Sequence, residues 1–266
     1  MLGLCVALLI VMIEFGPFVW VVLTSFKEKG EIFRLPPRLI FSPTLTNYVA
    51  SFVNGPFGKY LINSLIVDIL AVALAVIAGT LAAYAFSRFE LFGKKHIFFY
   101  ILTTRMCPPI VIALPLFLMY SNLGLRDTRF GLIMIHAVVN LALVTWLMRG
   151  FFDEIPIEID QAAMLDGYGE WHIFWKFALP PALPGVVVSA VFSAIFSWNE
   201  FLFALILTQS QAATLPVGIP QLVTSRGIVW GQIAAVATVM AIPVFVFTVV
   251  FQKYLVRGLT FGAVKT

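Results

Sequence analysis

Long apolar runs separated by short polar connections set the pattern of the chain. The runs fall at Leu4–Leu23, Tyr60–Phe86, Ile97–Tyr120, Leu132–Met148, Val186–Leu207 and Gly231–Phe251. A helix needs about 20 apolar residues to cross the hydrocarbon layer, so the pattern predicts an all-α membrane protein with six transmembrane helices. Pro108, Pro109 and Pro115 predict a kink in the third run, and Glu14 with Pro17 a bend or polar contact in the first. Ser25–Lys59, with Pro36, Pro37, Pro43 and Asn54-Gly55, reads as a loop carrying one short helix around Asn47–Phe52. The chain divides into an anchor and external loop over 1–59, a transmembrane domain over 60–252 with a polar insertion at 149–185, and a tail over 253–266.

That insertion breaks the apolar pattern most sharply. Asp153, Glu154, Glu158, Asp160, Asp166 and Glu170 are six of the chain's 13 carboxylates. Pro156 suits a first helical turn, acids favour that positive end, and Gly167 stands where a left-handed cap stops a helix. A short helix between spans follows, with Ile155, Ile159, Ala162 and Ala163 on the face expected to pack. The small Ala162 and Ala163 and the glycine turn let another protein surface approach the backbone, which makes the helix a docking knob. A second amphipathic helix with Trp171, Phe174, Trp175 and Ala178 on one side suits the membrane boundary, and Pro180, Pro181, Pro184 and Gly185 are expected to end it.

Composition agrees with the pattern. Residues are 61% hydrophobic and 11% charged, with a mean hydropathy of +1.00, which excludes an ordinary soluble domain. The first run lacks a basic leader and a small-residue cleavage site, so it reads as a retained anchor. Cys5 and Cys107 lie in apolar stretches and read as buried thiols. The net charge of +4 implies no nucleic-acid partner. Lys and Arg divide evenly between the two sets of connections, eight on each side with Arg105 inside a run, so the positive-inside rule does not orient the chain.

The insertion resembles the EAA loop of ABC importer permeases, in which Glu-Ala-Ala is followed after three residues by Gly, after nine by Ile, and after one by Leu-Pro. Here the positions are Gln161-Ala162-Ala163, Gly167, Phe177 and Leu179-Pro180, with every spacing kept and with Gln161 and Phe177 replacing the usual Glu and Ile. Asn63-Ser64, the run Ala82 to Arg88, Ser197-Trp198-Asn199-Glu200-Phe201 and the terminal Gly258-Leu259-Thr260 with Val264-Lys265 are similar to carbohydrate permeases of the maltose-transporter type, with the tail resembling the smaller subunit. The resemblance implies a type I ABC importer permease fold in the cytoplasmic (inner) membrane, with the EAA loop and C-terminus in the cytosol. It also implies a second permease subunit, two ABC ATPase subunits that bind the ATP, and an extracytoplasmic solute-binding protein. Asp160, Gln161, Ala162, Ala163, Asp166 and Gly167 would dock the ATPase, and Gly262 and Lys265 would touch it through the tail. The function implied is alternating-access import of a carbohydrate or related polyol. Import of another small polar solute, of the glycerol phosphate type, is the alternative, and an intramembrane enzyme is a third reading.

The remaining candidates are weighed on their chemistry. No phosphate loop ending in Gly-Lys-Ser/Thr occurs, so energy must come from a partner and no cofactor is expected on this chain. His96, His136 and His172 lack metal-ligand spacing, so no metal is expected. Glu14, Asp68, Arg105 and Glu200 interrupt apolar runs and should face the bundle interior or a wet cavity, each costing about 2.5 to 3.5 kcal/mol at a helix centre. Asp68 and Arg105 lie at similar depth if their spans are antiparallel, which favours pairing. Trp198, Asn199 and Glu200 combine a ring that can stack on a sugar with groups that bond hydroxyls, so they and Asn140 are substrate-path candidates. They serve equally as packing and capping residues.

Overall fold

The computed structural model describes residues 2–225 and 227–260. Its main helices are α1 (Leu2–Ser25), α2 (Phe57–Arg88), α3 (Lys94–Met106), α4 (Pro109–Asn122), α5 (Arg129–Glu154), α6 (Ile157–Leu165), α7 (Glu170–Trp198), α8 (Leu202–Leu207) and α9 (Trp230–Thr260). A two-stranded antiparallel hairpin, β1 (Val223–Thr224) and β2 (Gly227–Ile228), precedes α9. Among the described residues, α2, α5, α7 and α9 are long and apolar enough to cross a membrane, and α3 with α4 forms a fifth crossing if that bent pair is one span. The apolar stretch of α1 over Val11–Ser25 is shorter than these. The short helical segment expected around Asn47–Phe52 is present as Thr46–Tyr48 and a π-turn over Val49–Val53.

Three expected boundaries are corrected. The third apolar run does more than kink, because α3 and α4 meet at 95°. Cys107 and Pro108 are both extended there (ψ 124° and 126°), as residues preceding proline prefer, and Pro109 is pre-shaped for the first turn of α4. Prolines 180, 181 and 184 do not end the amphipathic helix; it continues as one 29-residue helix, α7. A π-turn over Phe174–Ala178 shifts the hydrogen-bond register just ahead of Pro180 and Pro181, which occupy the first turn of the following α segment. Their missing N–H groups fall where no regular i−4 bond is required. The span expected to reach Leu207 stops instead at Trp198, and α8 begins after a break at 199–201.

The chain forms two compact units, residues 1–63 with 213–245 and residues 64–212 with 246–266. In the first, Asn47 Nδ2 donates to the Ser25 and Lys27 carbonyls (2.9 and 2.8 Å). Lys27 Nζ donates to Arg38 O and lies over the Trp20 and Phe41 rings. Asn63 Nδ2 donates to Ala213 O at 2.9 Å, tying the start of α2 to the segment that leads into the hairpin. In the second unit, α5 and α7 pack side by side. A Cβ on Gly79 of α2 would lie 2.7 Å from Val144 of α5, so the missing side chain is what lets those helices meet. Ala83, Tyr84, Met148, Phe152, Phe174 and Ala178 form the core at the end carrying α6.

Candidate functional site

Helix α6 is held at both ends by chemistry legible residue by residue. Pro156 is its N-cap, with φ −53° and ψ 130°, one position ahead of the first turn expected for it. Asp153 and Glu154 belong to α5, leaving Glu158 and Asp160 as the acids in the first turn of α6. At the far end Gly167 has φ +85°. Its N–H donates to Met164 O (3.0 Å), and the Tyr168 N–H donates to Ala163 O (3.1 Å). These paired bonds make a Schellman cap, which needs the left-handed residue that glycine supplies.

The buried face differs from the expected one. Asp160 (2% exposed) and Ala163 (3%) face inward, whereas Ile159 and Ala162 are exposed. The cause is an ion pair that apolar spacing does not reveal. Arg88, the last residue of α2, donates from Nε to Asp160 Oδ2 at 2.6 Å, from Nη2 to Ile155 O at 2.9 Å and from Nη1 to Ser87 Oγ at 3.2 Å. Ser87 Oγ in turn donates to Asp153 Oδ1, whose Oδ2 accepts from Arg149 Nε. The planar guanidinium therefore ties α2, the α5–α6 turn and α6 together through three nitrogens, a geometry that lysine lacks. With Asp160 turned in, the outward surface consists of Gln161, Ala162, Met164, Leu165 (90% exposed), Asp166 and Gly167. Below it Tyr84 meets Phe152 and Phe174 edge-on at 5.4 and 5.0 Å, giving the helix a stiff base.

The other candidates lie far from α6. Trp198 is buried, and Asn199 is exposed with Nδ2 donating back to Ile195 O. Glu200 accepts the Phe203 and Ala204 N–H groups (2.8 and 3.0 Å), capping α8 across the break. Its Oε2 also lies 3.4 Å from His136 Nε2. Asn140 is buried and donates to His136 O. The expected Asp68–Arg105 pair is not formed. Asp68 hydrogen-bonds Ser197 instead, and Arg105 stacks on the Phe196 ring at 4.9 Å. Glu14 is exposed on α1, and Cys107 is half-buried at the α3–α4 break rather than in the core. The Cys5 side chain, Gly262 and Lys265 lie outside the described residues. Among the described residues, no three His, Cys, Asp or Glu side chains converge to hold a metal ion.

A contact with no sequence signal is the staple at Asp127. This residue has φ +53° in the α4–α5 turn, and its carboxylate accepts from the backbone N–H groups of Gln209, Ser210, Gln211 and Ala212. Burial pushes its carboxyl up, but the four backbone donors outweigh burial and hold it below the usual carboxylate range.

Comparison with known proteins places these features in a family. The profile of the binding-protein-dependent transport system inner membrane components matches residues 71–261. The chain is 40% identical over 249 residues to the probable ABC transporter permease protein y4oR of Sinorhizobium fredii, covering 94% of this chain and 90% of that one. It is 37% identical over 254 residues to the trehalose transport system permease protein SugB of Mycobacterium tuberculosis, covering 94% and 92%. Its fold superposes with a TM-score of 0.81, at 23% identity and 95% and 96% coverage, on a chain of a bacterial ABC transporter that imports the acidic polysaccharide alginate.

Proposed function

This chain belongs to the binding-protein-dependent transport system inner membrane components, and on that premise we propose that it passes a carbohydrate or related polyol through the inner membrane by alternating access. It is a transport subunit, not an enzyme. The sugar class is supported by relatives along nearly the whole chain, among them the trehalose permease and the trehalose/maltose permease MalG of Thermococcus litoralis, 35% identical over 263 residues. The observation that carries the reading is α6 itself. It is a capped helix at a span junction, fastened inward by Arg88–Asp160, with Gln161, Ala162, Met164 and Leu165 facing out. Such a helix transmits a push from a partner to α2, α5 and α7 as a rigid part.

In this reading α6 lies in the cytosol against one of two ATPase subunits, which bind and hydrolyse the ATP. A second permease subunit completes the pathway, and a binding protein delivers the solute from outside. Purifying the complex with its binding protein and identifying the retained solute by mass spectrometry tests the class. A sugar or polyol is expected, and a phosphorylated glycerol derivative would replace that reading with the glycerol phosphate type. Turnover of a sugar by this chain alone would overturn the transport reading. Cysteines at Glu170 and Thr44 test the orientation, the first reacting only with membrane-permeant reagents and the second with impermeant ones added outside.

A further inference from the structure

Arg105 stands in the last turn of α3, half-buried in an apolar span, where a charge is costly unless it finds a partner or faces a wet path. Among the described residues its guanidinium has no hydrogen-bond or ion-pair partner, and the contact the fold supplies is the Phe196 ring at 4.9 Å. Carboxylates elsewhere in the same unit are already engaged: Asp160 by Arg88, Asp127 by four backbone N–H groups, and Glu200 by the Phe203 and Ala204 N–H groups. A guanidinium carries five N–H donors and no acceptor. These donors are unspent.

The backbone at the same place is open in the opposite sense. Pro108 and Pro109 stand four positions after Thr104 and Arg105, and proline has no N–H, so those two carbonyls lack the donors that would continue α3. The Cys107 N–H turns back to Thr103 O, and α4 leaves at 95°. Unspent donors and unspent acceptors therefore occur within one residue of each other. The corner is accessible, since Thr104, Met106, Pro108 and Pro109 are exposed. Phe196 is exposed too, and so is Asn199, three positions on and on the same face of the last turn of α7.

On the transport reading above, we propose that this corner is a solute contact on the path, where Arg105 donates to the hydroxyl groups of a carbohydrate and the Thr104 and Arg105 carbonyls accept from them, with Phe196 and Asn199 alongside. The chemistry selects the class. A carboxylate or phosphate suits the guanidinium but only accepts, so the open carbonyls beside it would repel it. A sugar hydroxyl donates and accepts at once, which serves both halves of the corner. The occupant is thus a neutral polyhydroxyl solute. Trp198 and Asn140, by contrast, are buried.

Two measurements on the whole complex in lipid vesicles test this. The first needs no solute. With Cys5→Ser, Cys107 is the single cysteine of this chain and lies two residues from Arg105. A charged methanethiosulfonate reagent supplied on both sides should modify it in at least one state of the ATPase cycle. A Cys107 that stays unmodified with and without ATP overturns the site, and this arm decides if an Arg105 variant does not assemble. The second is binding-protein-driven uptake of trehalose and maltose as neutral probes, glucuronate as an acidic one and glycerol 3-phosphate as a phosphorylated one. Arg105→Gln keeps a donor and an acceptor without the charge and should retain neutral-sugar uptake within a few-fold, whereas Arg105→Met should lose about tenfold or more. If Arg105→Lys restores uptake while the Gln and Met variants fall equally, Arg105 pairs with a carboxylate of the solute or of the second permease, and the hydroxyl site is overturned. Sugar uptake that Arg105→Met leaves intact overturns it as well. Uptake of glycerol 3-phosphate and of none of the sugars would instead remove the carbohydrate reading itself.

Discussion

Two polar assemblies on the same helices of one unit are built on opposite principles. Asp68 and Arg88 stand twenty positions apart on α2, about 30 Å at 1.5 Å per residue. At the Arg88 end a guanidinium makes three directed bonds and fixes α6 in one position. At the Asp68 end carboxylates, a hydroxyl and an imidazole are buried together, and Asp68 Oδ1, His136 Nε2 and Asn140 Oδ1 have no hydrogen-bond partner. Donors that are all engaged make a strut, whereas buried polar atoms left without partners make a looser junction. If α6 is the docking surface proposed above, the first belongs beside it, and the second lies where α2, α5 and α7 meet.

The largest effect should come from breaking the strut. Arg88→Met leaves the Asp160 carboxylate buried and unpaired, a loss of about 3 to 5 kcal/mol, so little assembled complex should be recovered. Arg88→Lys should restore only part of it, since an ammonium cannot span the three acceptors. Equal recovery of wild type and Arg88→Met would show that α6 is held by packing alone. Next comes Gly167→Val. No neighbour lies within 4 Å of a Cβ there, but φ is +85°, and a β-branched residue in that region costs roughly 1 to 2 kcal/mol. Membrane insertion should be unaffected, while uptake and ATP hydrolysis measured side by side in reconstituted membranes should lose their coupling. Intact coupling would reduce α6 to a surface loop.

A smaller effect sharpens the contrast, because Asp127 is a titratable group whose partners are all backbone. Its folded pKa is depressed, so its contribution is fully present above the unfolded carboxyl value of about 3.9 and is lost as pH falls through the lower folded value. The carboxylate is half-exposed, so Asp127→Asn should cost about 1 kcal/mol at neutral pH. The gap in Tm between the two proteins should close in acid, and a gap that persists there would contradict the staple. Smallest is Gln161→Ala, which leaves α6 intact and removes at most one contact to a partner, about 0.5 kcal/mol. Affinity for the ATPase subunits should fall by less than a few-fold, with thermal stability of the chain unchanged.

Much of the fold follows from the apolar runs, and the position and cap of α6 from Gly167, because both depend on local rules of length, periodicity and backbone sterics. Where the reading erred, the error lay in what local rules omit. Apolar spacing put Ile159 and Ala162 inside, but Asp160 is the buried residue because Arg88, 72 positions earlier, waits for it. Depth along the helices suggested Asp68 with Arg105, yet each found a nearer partner in α7, Ser197 and Phe196. Prolines that should end a helix are absorbed by a π-turn, a register shift that depends on the packing of Phe174 and Ala178.

By itself the sequence determined that this is an all-α membrane protein with a capped helix between spans, since hydropathy, proline and glycine act on the residues that carry them. Only the tertiary structure decided which way α6 faces, that residues 213–245 group with the first 63, and that His136 stands between Ser197 and Glu200. Those outcomes depend on side chains far apart in the chain, and on buried polar groups finding partners wherever packing brings a donor and an acceptor together.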